Sequence, residues 1–141
     1  MIRITNDSEI PRLPIKKAKE TIENVFAGEN KPDYIVDVIY VDSEYMTELN
    51  NKYLGHEGDT DVITFPLSDE GENTIEGEIY ICPKVAKEQA AEYNVTTNNE
   101  LIRLAAHGAL HLCGYDDDTD EKRLIMHNLE TKYMADKFSE E

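Results

Sequence analysis

Hydrophobic positions along the chain recur with two different periods, and each period predicts one kind of secondary structure. Alternating apolar residues, rich in β-branched and aromatic types, predict strands near residues 2–5, 34–41, 62–65 and 74–81. Apolar residues that recur every three or four positions predict helices near residues 15–26, 43–53 and 83–93. The same spacing predicts a helix from Glu100 to Leu112, and a last helix that runs to about Phe138.

Residues that begin or end helices mark several of these boundaries. Gly28 is placed to end the first helix, and Gly114 stands where a left-handed residue would stop the helix before it. Asp118, followed three residues later by Glu121, has the form of a capping box and predicts the start of the last helix. The order of elements is therefore strand, helix, strand, helix, two strands and then helices.

This order predicts an α+β fold with one mixed sheet of about four strands and helices packed mainly on one face. A chain of 141 residues has the size of one domain, because two domains would each have a small core. We therefore expect a single domain over residues 1–138, followed by an acidic tail at residues 139–141.

The composition is that of a globular protein with a strong acidic excess. The formal net charge is −16 at pH 7, and a field of that sign repels bulk nucleic acid and anionic membranes. No stretch reaches the roughly 18 apolar residues of a membrane span, and the first residues lack the apolar core of a signal peptide. Two cysteines do not make a disulfide framework at this length. These features predict a cytoplasmic protein with no membrane partner.

The stretch that carries candidate chemistry is HGALHLCGYDD, residues 107–117. His107 and His111 are four residues apart on a predicted helix, which places both imidazoles on one face. Gly114 turns the chain back, so that Asp117 can supply a third donor. Two neutral imidazoles and a carboxylate suit Zn²⁺ and leave one coordination position for water. One zinc ion would lower the pKa of that water to about 7, which makes the water the candidate nucleophile.

The same spacing matches the long zinc-protease motif, in which two histidines, a glycine and a third ligand follow one another. Gly108, however, occupies the position at which those proteases carry a general-base glutamate, and glycine cannot accept a proton from water. Peptidase chemistry by the usual route is therefore disfavoured. Cys113 lies two residues from His111 and should point away from the ligand face, so we interpret it as a packing residue.

Three blocks of sequence resemble the YbeY endoribonuclease family. The block HGALHLCGYDDD, residues 107–118, is similar to the family signature H-G-x-L-H-L-x-G-Y-D-H. LNNKY at residues 49–53, followed by DTDVITFP at residues 59–66, resembles a second family block, and GEIYI at residues 77–81 resembles a third. Together these blocks span most of the chain, and its length agrees with the family.

The resemblance implies a zinc-dependent endoribonuclease that acts on single-stranded RNA and matures the 3′ end of small-subunit ribosomal RNA. It also implies a role in ribosome quality control, a cytoplasmic location, and ribosomal RNA and the small ribosomal subunit as partners. By position, His107 and His111 carry over as metal ligands, whereas Asp117 stands where the family has a third histidine. This exchange makes the site more anionic and favours a harder ion than three imidazoles would.

Further departures concern the residues around the metal. Leu54 stands where the family commonly has an arginine that could clamp a phosphate, so Lys52 or His56 would have to supply the positive charge. The motif contains no obvious proton acceptor, and we consider Asp116, Glu78 and His56 as candidates. For Asp116, support of a neighbouring ligand is an equally open interpretation, as is a solvated strand position for Glu78.

Two other classes of function stay open. A zinc peptidase is suggested by the spacing of the ligands and opposed by Gly108. A non-catalytic ribosome-assembly factor with a structural metal is favoured by Leu54 and opposed by the open coordination position.

Overall fold

A four-stranded mixed sheet lies at the centre of the computed structural model, which describes residues 1–69 and 71–135. The strand order is β1-β2-β4-β3. β1 pairs with β2 and β2 with β4 in parallel, whereas β3 pairs with β4 antiparallel. The strands are β1 (Ile2–Asn6), β2 (Tyr34–Tyr40), β3 (Val62–Pro66) and β4 (Ile75–Ile81). The predicted α+β fold with one mixed sheet is confirmed.

Five helices connect and cover the strands within the described part of the chain. They are α1 (Ile15–Gly28), α2 (Ser43–Leu54), α3 (Pro83–Tyr93), α4 (Thr97–Leu112) and α5 (Asp120–Tyr133). Among these described helices, none has the length and apolar character that crossing a membrane would require.

Most helices cover the face of the sheet that carries Val36 and Val38 of β2 and Ile79 of β4. These side chains are fully buried, and they belong to one core cluster with residues of α1, α4 and α5. Burial on one face follows from the strand geometry, because every second residue of a strand points to the same side. The predicted placement of helices mainly on one face is confirmed.

The opposite face of the sheet has a smaller cover, which α2 supplies. Met46 and Leu49 of α2 form a second buried cluster with Ile63 of β3. Half-buried Phe65 and Tyr80 pack against this cluster from β3 and β4. The sheet therefore has a thick side covered by α1, α4 and α5 and a thin side covered by α2, while α3 contributes Ala86 to the first cluster and Val85 to the second.

Close packing brings α4 directly against β4. A Cβ atom built at Gly108 would lie only 2.6 Å from Cγ2 of Ile79, so glycine is what allows this approach. Gly77 of β4 allows the same close approach from the side of the sheet, since a Cβ atom there would collide with the side chain of Leu112 of α4. The helix that carries both histidines is thus fixed on the centre of the sheet.

The helix α4 begins at Thr97, three residues before the predicted start at Glu100. The reason is local: Oγ1 of Thr96 accepts a hydrogen bond from the backbone N–H of Asn99 at 3.0 Å. Thr96 is therefore the N-cap of α4, which begins shortly after α3 has ended at Tyr93.

The start of α5 also differs from the prediction. Asp118 was expected to cap this helix, but Thr119 does so, and its Oγ1 accepts from the backbone N–H of Lys122 at 3.1 Å. The predicted cap is wrong by one residue because either side chain satisfies the same preference. The helix ends at Tyr133, and Phe138 and the predicted tail at residues 139–141 lie outside the described residues.

The two glycines expected at helix ends behave differently. Gly114 follows α4 with φ of 104°, as predicted for a left-handed stop. Gly28 instead is the last residue of α1, and the left-handed conformation falls on Asn30 with φ of 59°. A Cβ atom at Gly28 would collide with the ring of Tyr133, so this glycine serves the contact between α1 and α5.

Candidate metal centre

The donor atoms of His107, His111 and Asp117 converge on one point beside α4. The Nε2 atoms of the two histidines are 3.1 Å apart. Oδ2 of Asp117 lies 3.4 Å from Nε2 of His107 and 3.5 Å from Nε2 of His111. The three residues predicted as ligands are therefore brought together, and in the described part of the chain they form the one group of acids, cysteines and histidines arranged to hold an ion.

Hydrogen bonds on the far side of each ring decide which nitrogen faces the cluster. Nδ1 of His111 is 2.8 Å from the backbone oxygen of Tyr115, and a carbonyl only accepts, so Nδ1 must donate. Nδ1 of His107 is 2.7 Å from Oε2 of Glu130 and donates to that carboxylate. In the neutral rings both Nε2 atoms then carry lone pairs that point at the same place.

Spacing and charge of the donors fit a cation. A tetrahedral ion with metal–ligand distances of about 2.0–2.1 Å has donor–donor edges of about 3.3–3.4 Å. The observed separations of 3.1, 3.4 and 3.5 Å lie around that value. Three electron-rich atoms this close repel one another unless a positive charge lies between them. The side chain of Asp117 is 42% exposed, so the site opens to solvent on the side of this ligand.

Neighbouring acids shift the pKa of His107. Burial acts to lower it, but the hydrogen bond and charge of Glu130 raise it, together with the charges of Asp117 and Asp61, and the net shift is upward. Because metal binding requires a neutral imidazole, protons compete with the ion for His107. The same negative charges attract a cation, so they strengthen binding once the proton has left.

The loop after α4 places the third donor. Gly114 reverses the chain, and its N–H donates to the backbone oxygen of His111 at 3.0 Å. Tyr115 then presents its carbonyl to the His111 ring and its hydroxyl to Glu29 at 2.7 Å. The backbone oxygen of Asp117 accepts from Nη1 of Arg123 at 3.1 Å. The loop is thus tied to α1 and to α5, and Asp117 is directed back towards the histidines.

Glu130 is a residue of the site that the sequence interpretation missed. It lies on α5, is 5% exposed, and touches His107 from 23 residues away. One signal was present: Glu130 shares a helical face with the buried residues Met126 and Tyr133. An acid on an apolar face indicates a buried partner, but the sequence does not name that partner.

Cys113 is a packing residue, as expected. Its side chain is partly buried against the main core, and its sulfur is not one of the three converging donor atoms. Burial raises the pKa of this thiol to about 12, so it stays protonated at neutral pH. A protonated thiol is a poor metal ligand.

The predicted proton acceptors do not lie together in the structure. Glu78 lies between Gly77 and Ile79, which both contact α4, so its side chain points to the opposite face of the sheet. The structure therefore does not bring Glu78 to the metal centre. Asp116 is exposed beside Asp117 on the loop, where solvent reaches it.

The residues proposed to supply positive charge lie at the end of α2. Lys52 is exposed, and its Nζ lies 5.2 Å from the centre of the Tyr53 ring. Leu54 is the last residue of α2 and is exposed. His56 is exposed in the loop that follows, and it is not among the three residues whose donors converge.

A cleft of about 680 Å³ borders the metal centre at His111 and Gly114. Its charged lining residues are one base and four acids, namely Lys31, Asp33, Asp69, Glu72 and Glu76. An acidic cleft does not attract a phosphate backbone by charge. Any nucleic acid in this cleft would therefore have to be held by contacts made elsewhere.

Comparisons with known proteins give one family. The sequence model described as Endoribonuclease YbeY matches residues 3–137. Endoribonuclease YbeY of Thermotoga maritima is 37% identical over 141 residues, which cover 99% of this chain and 91% of the relative. Endoribonuclease YbeY of Geobacillus thermodenitrificans is 38% identical over 134 residues, covering 87% and 86% of the two chains.

A solved structure has the same fold. The solution structure of TM1509 from Thermotoga maritima superposes with a TM-score of 0.71 at 37% sequence identity. The match covers 99% of this chain and 91% of that one. Similarity in sequence and in fold thus extends over nearly the whole chain.

Proposed function

The chain belongs to the Endoribonuclease YbeY family, and from this premise we propose that it is a metal-dependent endoribonuclease that cleaves single-stranded RNA. Its substrate would be the 3′ end of small-subunit ribosomal RNA, processed during ribosome maturation and quality control in the cytoplasm. The observation that carries the proposal is the convergence of His107, His111 and Asp117 on one point that is open to solvent.

One zinc ion per chain is the proposed cofactor. When bound, zinc would supply a Lewis acid that neutralises charge on the phosphate and brings the pKa of a coordinated water to about 7. His107 and His111 would hold it through Nε2 and Asp117 through Oδ2. With a carboxylate in place of a third imidazole, the site should also accept harder ions such as Mn²⁺.

The other residues of the site have separate proposed roles. The two imidazoles would fix the position of the ion relative to α4, and the exposed side at Asp117 leaves room for a phosphate. Asp116 is the proposed proton acceptor, since it is an exposed carboxylate on the same loop as a ligand. Lys52 is the proposed phosphate contact in place of the family arginine.

The acidic charge of the protein supports a substrate that is presented within a ribosomal particle. A net charge of −16 and the acidic cleft beside His111 both disfavour free RNA. The proposal therefore predicts faster cleavage within small-subunit particles than of the same RNA segment alone. Equal rates on both substrates would contradict it.

The direct test compares metal-free protein with protein reloaded with Zn²⁺ or Mn²⁺, using small-subunit precursors as substrate. Cleavage should be absent without metal and return with it. Asp117→His, which restores the third imidazole of the family, should keep cleavage with zinc and lose it with Mn²⁺. Asp118→Asn removes a charge from an exposed acid of the same loop, and it should behave as the wild type.

The same experiment separates the two competing functions. A structural metal is favoured by the exposed Leu54 at the arginine position. In that case metal removal would lower the melting temperature sharply, and no RNA would be cleaved in either state. A zinc peptidase would digest casein in a chelator-sensitive way and leave RNA intact.

A further inference from the structure

The carboxylate of Glu130 is shared between a proposed metal ligand and a cation. Its Oε2 lies 2.7 Å from Nδ1 of His107, and its Oε1 lies 3.1 Å from Nη1 of Arg103. Arg103 and His107 are four residues apart on α4, so one turn of the ligand helix presents both partners. Each oxygen of Glu130 thus has its own donor.

Arg103 is itself held in place by α5. Its Nη2 donates to Oγ1 of Thr131 at 3.0 Å, and its Nη1 lies 3.3 Å from the backbone oxygen of His127. These bonds orient the guanidinium, which in turn orients Glu130. The His107 ring is therefore connected to α5 through Glu130, and Arg103 of α4 holds the other oxygen of that carboxylate.

We propose that Glu130 is a positioning residue of the metal centre, which holds His107 as the Nδ1–H tautomer so that Nε2 faces the ion. The inference rests on the proposed metal site and extends it to a second helix. A carboxylate behind a ligating imidazole fixes the ring orientation and increases the basicity of the ligand. Loss of such a partner costs about 10–100-fold in metal affinity.

Glu130 does not act as a ligand or as the proton acceptor itself. It is 5% exposed, and both of its oxygens already accept hydrogen bonds, from Arg103 and His107. Neither oxygen is directed at the point where the Nε2 atoms and Asp117 converge. Its influence on the metal therefore passes through His107.

The first test uses the wild-type protein without metal, at alkaline pH where the imidazoles are neutral. Nitrogen-15 NMR of the side chains should give His107 and His111 as Nδ1–H tautomers. His127 is an internal comparison, since its Nδ1 lies 3.3 Å from the donor Nη1 of Arg103 and must accept, which makes it the Nε2–H tautomer. A His107 with its proton on Nε2 would overturn the inference.

The second test measures zinc affinity by competition with a chromophoric chelator. Glu130→Leu removes the acceptor and should weaken zinc binding about 100-fold, whereas Glu130→Gln keeps one acceptor oxygen and should lose about 10-fold. Glu100→Gln is the matched control, because Glu100 is a buried acid on α4 at 4% exposure that makes no hydrogen bond to a ligand. It should change zinc affinity by less than about threefold. Equal losses in the Glu130 and Glu100 variants would refute a positioning role.

The two proposals fail in different ways. Wild-type protein that binds zinc and cleaves RNA, with Glu130 variants of unchanged affinity, would refute the positioning role alone. Wild-type protein that binds zinc with the predicted tautomers but cleaves no RNA would refute the function alone. Circular dichroism of each metal-free variant checks folding, and should the leucine variant be unfolded, the glutamine variant and the wild-type tautomer still decide the question.

Discussion

The ligands of the metal centre come from two structurally different parts of the chain. His107 and His111 lie on α4, with side chains 21% and 25% exposed, and each ring has a hydrogen-bond partner behind it. Asp117 lies on the loop after Gly114 with a side chain that is 42% exposed. The helical half of the site is fixed by packing and the loop half by a turn.

This difference separates two properties of the site. The helix rests on the sheet through Gly108 and Ile79, so the two imidazoles are prearranged whether or not an ion is bound. The side chain of Asp117 is the most exposed of the three ligands, so it is the ligand that water replaces at the lowest cost. We infer that the two histidines of α4 provide most of the affinity for the metal ion. Asp117 of the loop would determine which ion is preferred and leave its open side to solvent or substrate.

Removing a ligand from each half gives the largest expected effect. His111→Ala should weaken zinc binding by more than about 100-fold, because even a group that only orients a ligand is worth about 10–100-fold. Asp117→Ala should cost clearly less, since solvent already reaches that position. Titration with zinc against a chelator of known affinity measures both. Equal losses in the two variants would contradict the division into a partly buried helical half and a more exposed loop half.

The next effect concerns the packing that fixes the helical half. Gly108→Ala places a Cβ atom 2.6 Å from Cγ2 of Ile79. Overpacking of this kind costs about 1–3 kcal/mol, and the better helix propensity of alanine returns at most about 1 kcal/mol. We expect a net loss of about 1 kcal/mol, or about 3–5 °C in melting temperature. A second substitution, Ile79→Ala, should reduce the additional cost of alanine at position 108, as measured by a double-mutant cycle.

The helical half of the site was largely predictable from the sequence. The spacing of His107 and His111 requires only the geometry of one helix, and Gly114 signals the stop that directs Asp117 back. Local patterns of this kind also gave four strands in the right places. The errors in the starts of α4 and α5 arose where Thr96 and Thr119 compete with neighbouring residues for the same capping role.

What the sequence could not provide is contact between distant elements. Glu130 reaches His107 from 23 residues away, and only the packing of α5 on α4 reveals the pair. The position of Glu78 was equally hidden, because the alternation of a strand gives two faces without telling which one meets the metal helix. The topology of the sheet and its helices decides both.

A substitution at Gly114 tests whether the turn after α4 places the loop ligand, Asp117. Gly114 has φ of 104° and open space around its α-carbon, so Gly114→Ala meets only a backbone cost of about 1–2 kcal/mol. Because this turn directs Asp117, zinc affinity should fall together with stability. The contrast with Gly108→Ala is the informative result: there the loss should be mainly in stability. Urea unfolding and zinc titration of both variants provide the comparison. An unchanged zinc affinity of Gly114→Ala would show that the turn is not needed to place Asp117 at the metal centre.

The smallest expected effect lies in the first turn of α4, where Glu100 is buried at 4% exposure. Burial raises the pKa of Glu100, and the charge of Asp61 adds to this, while Arg103 partly opposes it. When the side-chain amide of Gln89 is oriented with its nitrogen towards the two acids, that nitrogen donates to Oε2 of Glu100 at 3.1 Å and to Oδ2 of Asp61 at 3.2 Å. A glutamine at position 100 could still accept that bond, so Glu100→Gln removes mainly the charge.

The raised pKa of Glu100 determines how the stability effect of Glu100→Gln changes with pH. An acid whose pKa is raised in the folded state contributes stability below its unfolded pKa of about 4.3, and this stability is lost as the pH rises through the folded pKa. Glutamine does not titrate, so the stability of Glu100→Gln relative to wild type should increase between pH 5 and pH 7.5. Urea unfolding of the metal-free proteins at both pH values measures the change, with Glu121→Gln as the control for loss of one exposed charge. A relative stability that decreases over this range would mean that Arg103 stabilises the Glu100 charge more than burial disfavours it, and that the helical half depends on this acid being ionised.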